Sequence, residues 1–276
     1  MKKICSRLTA ALTAAAAATA MCQAFPASAA ESTHIMGDLN GDFMVTAADA
    51  QIALNIYSES LVENDDNTVN PENGAADIDM NGEIDAIDAQ KILLYYCQTL
   101  VGDQPMWAEY RDVSYVDQLV LRRDENEEPS DTIPYVLTGL YVEIGCAHGL
   151  PGQTVDVPVY VAGVEDLACA VFGIGVPEGL APVNITTNIA EDFPTADPDS
   201  EIYYIRPNAG VLSWIRTEGI DISNGYTIGH FSYTIPEDAQ SGEVYQLKMM
   251  SDKSTFNNQS VKSYQYTLLN GVVVVD

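Results

Sequence analysis

The chain has 276 residues, of which 40 are Asp or Glu and only 12 are Lys or Arg, giving a formal net charge of −28. Such an acidic surface repels nucleic acid and anionic membranes, which excludes functions that depend on binding polyanions. Hydrophobic residues make up 47% of the chain, and its length is sufficient for more than one packed domain.

The first 30 residues have the composition of a secretory signal peptide. Lys2, Lys3 and Arg7 precede an Ala-rich apolar run that ends in small residues at positions 27–30, so we expect cleavage near Ala29 or Ala30 and a secreted protein. The alternative, lipidation at Cys22, is disfavoured because a large residue, Met21, precedes it. Without the leader, nine basic residues face 40 acidic ones and the net charge becomes −31.

Two acidic loops of one design follow, beginning at Asp38 and Asp77. Both place oxygen-bearing side chains at loop positions 1, 3, 5 and 12, and a looped backbone with this spacing can supply the roughly six to eight oxygens that Ca²⁺ takes. We therefore predict two Ca²⁺ sites, with the carbonyls of Met44 and Glu83 as main-chain ligands. The predicted ligands are Asp38, Asn40, Asp42, Met44 and Asp49 in the first loop, and Asp77, Asp79, Asn81, Glu83 and Asp88 in the second.

Each loop is followed by an apolar run with helical spacing. The unit differs from an EF-hand because Asp, and not Glu, closes the loop and no convincing helix precedes the first loop. Duplicated units of this form resemble a type I dockerin, a small all-α module with two EF-hand-like loop-helix repeats. The resemblance implies calcium-dependent docking onto a cohesin, through a face that includes Ala47, Ala48, Leu54, Ala86, Ile87 and Leu93.

The loops depart from the dockerin pattern in three ways. Phe43 occupies the sixth loop position, where the second copy has Gly82 and the turn favours a residue without Cβ. The loops start 39 positions apart because a polar insert covers residues 62–76. The pairs at loop positions 10 and 11, where dockerins of this type carry partner-reading residues, are apolar in both copies, so we expect an apolar contact with the partner.

Residues 103–139 form a predicted acidic linker between the dockerin, assigned to residues 31–102, and a C-terminal domain, assigned to residues 140–276. The charge run at 124–131 predicts a solvated segment, whereas residues 113–121 form a short strand or helix that packs on either neighbour. Beyond the leader, the cysteines are Cys97, Cys146 and Cys169. Their spacing favours buried free thiols over a bridge between Cys146 and Cys169.

From residue 140 the apolar residues alternate as they do in β-strands, between clusters of Gly, Pro, Asn and Asp. Six or more short strands without an intervening helical pattern predict an all-β antiparallel sandwich. The predicted strands are 140–144, 154–161, 170–176, 201–205, 211–217, 227–235, 244–249 and 264–275.

This half resembles a cohesin, a jelly-roll sandwich. The resemblance is carried by the opening strand at 150–159, the strand and turn at 167–180, the run 225–236 and the final 270–275. It implies a flat sheet face that receives a partner dockerin, to which we assign Ala168, Ala170, Phe172, Tyr203 and Trp214. A carbohydrate-binding module, with Tyr203, Tyr204 and Trp214 as a sugar-stacking platform, and another type of sandwich remain open.

No serine elbow or metalloprotease motif is present. Two carboxylates suffice for a glycosidase, so counting residues leaves that possibility open, but the strands leave little chain for a catalytic cleft. A dockerin joined to a cohesin implies a non-catalytic adaptor scaffoldin of a cellulosome. We expect a monomer that plugs into a larger scaffoldin, recruits dockerin-bearing enzymes for plant polysaccharide degradation, and reaches the cell surface only through that assembly. The alternative is a dockerin-tethered carbohydrate-binding module or, less favoured, a dockerin-bearing enzyme.

Overall fold

The computed structural model describes residues 35–63, 74–110, 136–250 and 253–276. The predicted signal peptide, most of the insert between the two loops, the segment 113–121 and the charge run 124–131 lie outside these residues. Within the described ranges, no helix is long and apolar enough to cross a membrane.

The N-terminal part is a pair of packed helices, α1 (Ala47–Glu63) and α2 (Ala86–Leu100). Asp85 caps α2: its side chain accepts a hydrogen bond from the Ile87 amide at 2.6 Å, and Asp88 accepts one from the Asp85 amide at 2.9 Å. This reciprocal pair satisfies two amides that a helix start leaves unbonded. Both helices bury one face, formed by Ala50, Ala53, Ala89, Ile92 and Tyr95.

Two short 3₁₀ helices, Gly74–Ala76 and Trp107–Tyr110, complete the helical module. The second belongs to a segment that the sequence assigned to the acidic linker. Met106, Trp107 and Ala108 are nevertheless buried. The linker assignment is therefore wrong at its N-terminal end, where apolar side chains continue the packed structure.

The C-terminal part is a β-sandwich that begins at Val136, four residues before the predicted start. A one-turn helix, α3 (Ile189–Asp192), and 3₁₀ helices at Pro198–Ser200 and Pro207–Ala209 interrupt the strands. The strands are β1 (Val136–Ile144), β2 (Ala147–Gly149), β3 (Thr154–Ala162), β4 (Leu167–Gly175), β5 (Ala181–Thr186), β6 (Ile202–Arg206), β7 (Val211–Ile220), β8 (Tyr226–Thr234), β9 (Val244–Met249), β10 (Thr255–Asn257), β11 (Ser263–Leu269) and β12 (Gly271–Val275).

The strands form two hydrogen-bonded layers. One layer has the order β5-β8-β3-β1-β11, the other has the order β6-β7-β4-β9-β12-β2, and short β10 bonds to both β4 and β11. Most neighbours are antiparallel, as predicted, but β1 pairs with β11 and β12 pairs with β2 in parallel. The two parallel pairs join the first two strands of the domain to its last two strands.

The core between the layers is built from alternate residues of each strand. Phe172 lies at its centre, with ring centroids 5.8 Å from Phe231 and 5.9 Å from Phe256. Trp214 and Tyr233 are also buried in this cluster. Burial of these large aromatic side chains supplies much of the hydrophobic stabilisation of the sandwich.

The helical module packs against the outer surface of the sandwich. Tyr95 and Trp107 share a hydrophobic cluster with Tyr141 of β1, Ala162 of β3 and Leu269 of β11. The outer surface around these residues of β1, β3 and β11 is therefore covered within the chain itself.

Candidate calcium loops and protein-binding faces

The second acidic loop gathers three carboxylates. One oxygen from each of Asp77, Asp79 and Asp88 lies within 4.8 Å of the others, and Asp77 and Asp88 are buried. Lys91 donates to Asp79 at 2.7 Å. Buried carboxylates at this separation repel one another unless a cation neutralises them, and hard oxygen donors of this kind fit Ca²⁺.

The electrostatics of the second loop agree with this geometry. Burial raises the pKa of the Asp88 carboxyl to about 6, and the neighbouring charges of Asp79 and Asp77 add to the rise, although amide hydrogen bonds from Asp85 and Ile78 oppose it. Without a cation, Asp88 in the folded loop therefore keeps its proton to a higher pH than an ordinary aspartate does. A bound divalent ion would offset the same repulsion.

The first loop is wrapped around two buried carboxylates. Asp38 accepts hydrogen bonds from the amides of Gly41 and Phe43, both at 2.8 Å. Asp49 accepts from Leu39 at 2.9 Å and Thr46 at 2.8 Å. Burial raises the pKa of Asp38. Both loops thus bring their first and twelfth residues together, as the predicted ligand sets require.

The backbone explains how each loop tolerates its departure from the pattern. Loop positions 4 and 6 are left-handed in both copies: Gly41 has φ 76° and Phe43 φ 65°, while Met80 has φ 59° and Gly82 φ 88°. Each loop therefore has one glycine and one strained non-glycine residue at these positions. Sequence reasoning identified position 6 as unusual but missed the demand at position 4.

The helix residues predicted to contact a partner are all exposed: Ala47, Ala48, Leu54, Ala86, Ile87 and Leu93. The second helix has the more apolar surface. At positions equivalent in the two repeats, Ile87, Leu94 and Cys97 of α2 replace Ala48, Asn55 and Ser58 of α1, and all six are exposed. The outer surface of α2 is thus the better apolar docking surface.

The sheet residues predicted to contact a partner were assigned to the wrong side of their strands. Ala168, Ala170, Phe172 and Trp214 are buried, and Tyr203 packs against the core. Side chains alternate across a strand, so the outward set consists of their neighbours. This outer face, called the β4/β6/β7 face below, comprises Val171, Ile202, Tyr204, Arg206, Ser213 and Ile215.

The same alternation affects the proposed sugar platform. Tyr204 is 49% exposed, but Trp214 is fully buried and donates its indole N–H to Glu201 at 2.7 Å. The guanidinium of Arg206 lies 4.9 Å from the Tyr204 ring centroid. Tyr203, Tyr204 and Trp214 therefore do not form one aromatic surface.

A contact between the two modules, which the sequence did not predict, is centred on Trp107. Its ring stacks on Tyr95 with centroids 4.0 Å apart. Glu143 of β1 accepts hydrogen bonds from the Trp107 amide at 2.6 Å, from the Ala108 amide at 3.0 Å and from the Tyr141 hydroxyl at 2.7 Å. The available signal was the uninterrupted apolar run Leu140, Tyr141 and Val142 in β1, since a strand with one solvated face alternates.

Cys97, Cys146 and Cys169 are free thiols. Cys169 is buried, Cys146 is half-buried and Cys97 is exposed on α2, so the expectation of buried thiols is wrong for Cys97. Burial raises the pKa of Cys169 to about 11.

Duplicated acidic loop-helix units followed by a mostly antiparallel sandwich define a two-module chain with dockerin-like and cohesin-like parts. Comparison with known families confirms both: the dockerin type I domain matches residues 36–94 and the cohesin domain matches residues 140–275. The chain carries a type I dockerin followed by a cohesin. Both are non-catalytic interaction domains, and type I dockerins typically bind calcium.

Several solved cohesins are similar to part of the chain. The sixth cohesin of scaffoldin B from Acetivibrio cellulolyticus, solved with a dockerin, is 16% identical and has a TM-score of 0.42, covering 50% of this chain and 99% of its own. The seventh ScaB type I cohesin of Pseudobacteroides cellulosolvens is 18% identical with a TM-score of 0.41, and the match covers 51% of this chain and 94% of that cohesin. A non-cellulosomal cohesin of the archaeon Archaeoglobus fulgidus is 11% identical with a TM-score of 0.37, and the match covers 50% of this chain and 91% of that cohesin. No curated protein matches the chain.

Proposed function

We propose that this protein is a non-catalytic adaptor scaffoldin. Its dockerin binds a cohesin on a larger scaffoldin, and its cohesin binds the dockerin of an enzyme that degrades plant polysaccharide. The observation that carries the proposal is that the contact between its own modules leaves two surfaces exposed. These are the apolar surface of α1 and α2 and the β4/β6/β7 face.

The dockerin surface is supported by the exposure of its apolar side chains. Ile87 is 50% exposed, Leu93 44% and Leu94 48%. A solvated helix of an isolated protein gains nothing from such a surface, whereas burying it against a partner stabilises the complex. On the sheet, Tyr204 and Arg206 provide an aromatic and a cationic side chain of the type enriched at interaction hot spots.

The proposal includes two Ca²⁺ ions, one in each acidic loop. The first would be held by Asp38, Asn40, Asp42, the Met44 carbonyl and Asp49, and the second by Asp77, Asp79, Asn81, the Glu83 carbonyl and Asp88. A Ca²⁺ ion supplies positive charge to clustered carboxylates. The loops in turn fix the starts of α1 and α2, and thereby the relative position of their exposed faces.

We further propose that the protein is secreted and reaches the cell surface only through its partners. The basic and apolar leader at residues 1–30 supports export. The high acidic charge supports solubility outside the cell and argues against direct contact with an anionic membrane.

A capture experiment with two matched variants tests the adaptor function. The full chain is used as bait in Ca²⁺ against the secreted proteins of the source organism, and captured proteins are identified by mass spectrometry. Leu94→Asn gives α2 the residue found at the equivalent position of α1, and should reduce capture of cohesin-bearing proteins by about tenfold. Tyr204→Ala should reduce capture of dockerin-bearing enzymes only.

The control for Leu94→Asn is Asn55→Ala, which should leave both captures unchanged. The proposal of two independent binding faces would be contradicted if Leu94→Asn or Tyr204→Ala abolished capture of both classes of partner. It would also be contradicted if neither substitution reduced any capture. If the chain captures neither class of protein and instead adheres to insoluble polysaccharide, the sandwich is a carbohydrate-binding module and the adaptor proposal fails.

A further inference from the structure

The last strand of the sandwich is buried on both faces. All five residues of β12 are buried, with Val273 and Val275 directed into the core between the layers. Val272 and Val274 point the other way, toward the outer face of the layer, and such a face normally meets water. A continuous valine run is typical of a strand covered on both sides, and here part of the cover comes from the first acidic loop and from Ile35, which precedes it.

Phe43 and Ile35 supply that cover. Ile35, Val272 and Val274 form a separate hydrophobic cluster, against which Phe43 and Cys146 pack. Phe43 is the residue at loop position 6, held at φ 65° where a side chain is strained. An aromatic residue there has a physical reason: its side chain packs against the cluster of Ile35, Val272 and Val274, which glycine could not do.

Both covering residues are bonded to the first predicted ligand of the same loop. The Phe43 amide donates to the Asp38 carboxylate at 2.8 Å, and the Asp38 amide donates to the Ile35 carbonyl at 3.1 Å. Fixing the Asp38 carboxylate therefore fixes the backbone of Phe43 directly, and Ile35 is tied to the backbone of the same aspartate.

We propose that the first acidic loop binds a metal ion and also attaches the dockerin to its own cohesin. This attachment, the contact of Phe43 with the cluster of Ile35, Val272 and Val274, is called the joint below. Calcium binding at Asp38 and Asp49 holds Phe43 against Val272 and Val274, so that calcium occupancy of this loop and attachment of the dockerin to its own cohesin stabilise each other. Such coupling is reciprocal: disrupting the valine contact weakens calcium binding by the same factor. The inference rests on the calcium binding proposed above, and goes beyond it by giving Phe43 a role between the modules.

The alkylation rate of Cys146 measures whether the joint is formed. It is half-buried, packs against the same cluster as Phe43 and forms a hydrogen bond with the Tyr95 side chain of α2. Cys97, also on α2, is exposed and serves as an internal reference. The full chain is alkylated with iodoacetamide in Ca²⁺ or in chelator, and each cysteine is quantified by mass spectrometry. Chelation should accelerate alkylation of Cys146, relative to Cys97, by at least about tenfold.

Phe43→Gly isolates the role of the side chain. It removes the backbone strain and leaves every predicted ligand in place, so Ca²⁺ binding should remain measurable by calorimetry but become weaker, while Cys146 becomes reactive even in Ca²⁺. Phe43→Leu is the matched control, because it keeps an apolar side chain and should retain protection. If Phe43→Gly leaves Cys146 protected in Ca²⁺, Phe43 is only a strained loop residue and the joint is refuted.

A substitution on the sandwich tests the same coupling without touching the loop. Val274→Thr should raise the Ca²⁺ concentration at which Cys146 becomes half-protected by about threefold to tenfold. Val183→Thr, at an exposed valine of β5, should not. An unchanged midpoint for Val274→Thr would overturn the proposal.

The outcomes separate this inference from the proposed function. No Ca²⁺ binding in calorimetry would refute the calcium sites and the joint together. Calcium binding without an effect on Cys146 would refute the joint alone. Failed capture of partners, with Cys146 protection still governed by Ca²⁺ and Phe43, would refute the adaptor function and support the joint.

Discussion

Glu143 shows how one residue can determine the contact between two modules. Its carboxylate is 2% exposed and accepts hydrogen bonds from two backbone amides of the Trp107 segment and from Tyr141. An acceptor in this position satisfies donors that packing has removed from water. The residue therefore stabilises the contact in a way that its place in a strand pattern did not reveal.

Glu143→Gln should lower the free energy of unfolding by about 1–3 kcal/mol, because the amide NH₂ replaces one acceptor and opposes a buried donor. Urea unfolding followed by circular dichroism measures the change. Glu109→Gln is the control: this side chain lies in the same segment but is exposed, and its effect should stay within about 0.5 kcal/mol. Equal effects of the two substitutions would show that the Glu143 hydrogen bonds contribute nothing specific.

At the scale of the element, the two acidic loops are the part that the sequence predicted best. Ligand spacing is a local property, so residues one to twelve of each loop determine the turn and the start of the following helix. Phe43 was identified as exceptional for the same reason. Its contact with Val272 and Val274 was not predicted, since it joins residues more than 200 positions apart.

The strands were predicted less completely. Alternation of apolar residues located most of them, but it did not tell which alternate set faces the core. For β4 and β7 both sets are largely apolar, and the assignment of Phe172 and Trp214 to the surface was wrong. The side is determined by which partner layer the strand meets, which is a property of the whole sandwich.

The second loop gives a pH prediction for the metal-free protein. The pKa of Asp88 is about 6 in the folded chain against an ordinary 3.8, so between these values the folded state binds more protons than the unfolded state. Stability in chelator should therefore fall as pH rises from about 4 to about 6, by up to about 3 kcal/mol. Urea unfolding at stepped pH measures this slope.

Two comparisons check the origin of the pH slope. Asp88→Asn removes the titrating carboxyl and should flatten the slope in chelator. Excess Ca²⁺ should reverse it, because protons compete with the ion for the same oxygens. A slope that is unchanged in Asp88→Asn would assign the effect to other carboxyls.

For the whole molecule, the two exposed binding faces must not recognise each other. If the dockerin of one copy bound the cohesin of another, the contact would be head-to-tail and would extend into chains. We therefore expect a monomer in Ca²⁺ when the protein is analysed by size-exclusion chromatography with light scattering from about 1 to 100 μM. A mass that grows with concentration, and that Leu94→Asn or Tyr204→Ala returns to a monomer, would contradict this expectation.

The contact between the modules also has a mechanical consequence. An adaptor of the kind proposed above is pulled between two partners, one bound to its dockerin and the other to its cohesin. Because Trp107, Phe43 and their partners already join the modules, they would bear the load first. Separation of this contact would take up part of the load before the hydrogen bonds between β1 and β11 are stretched.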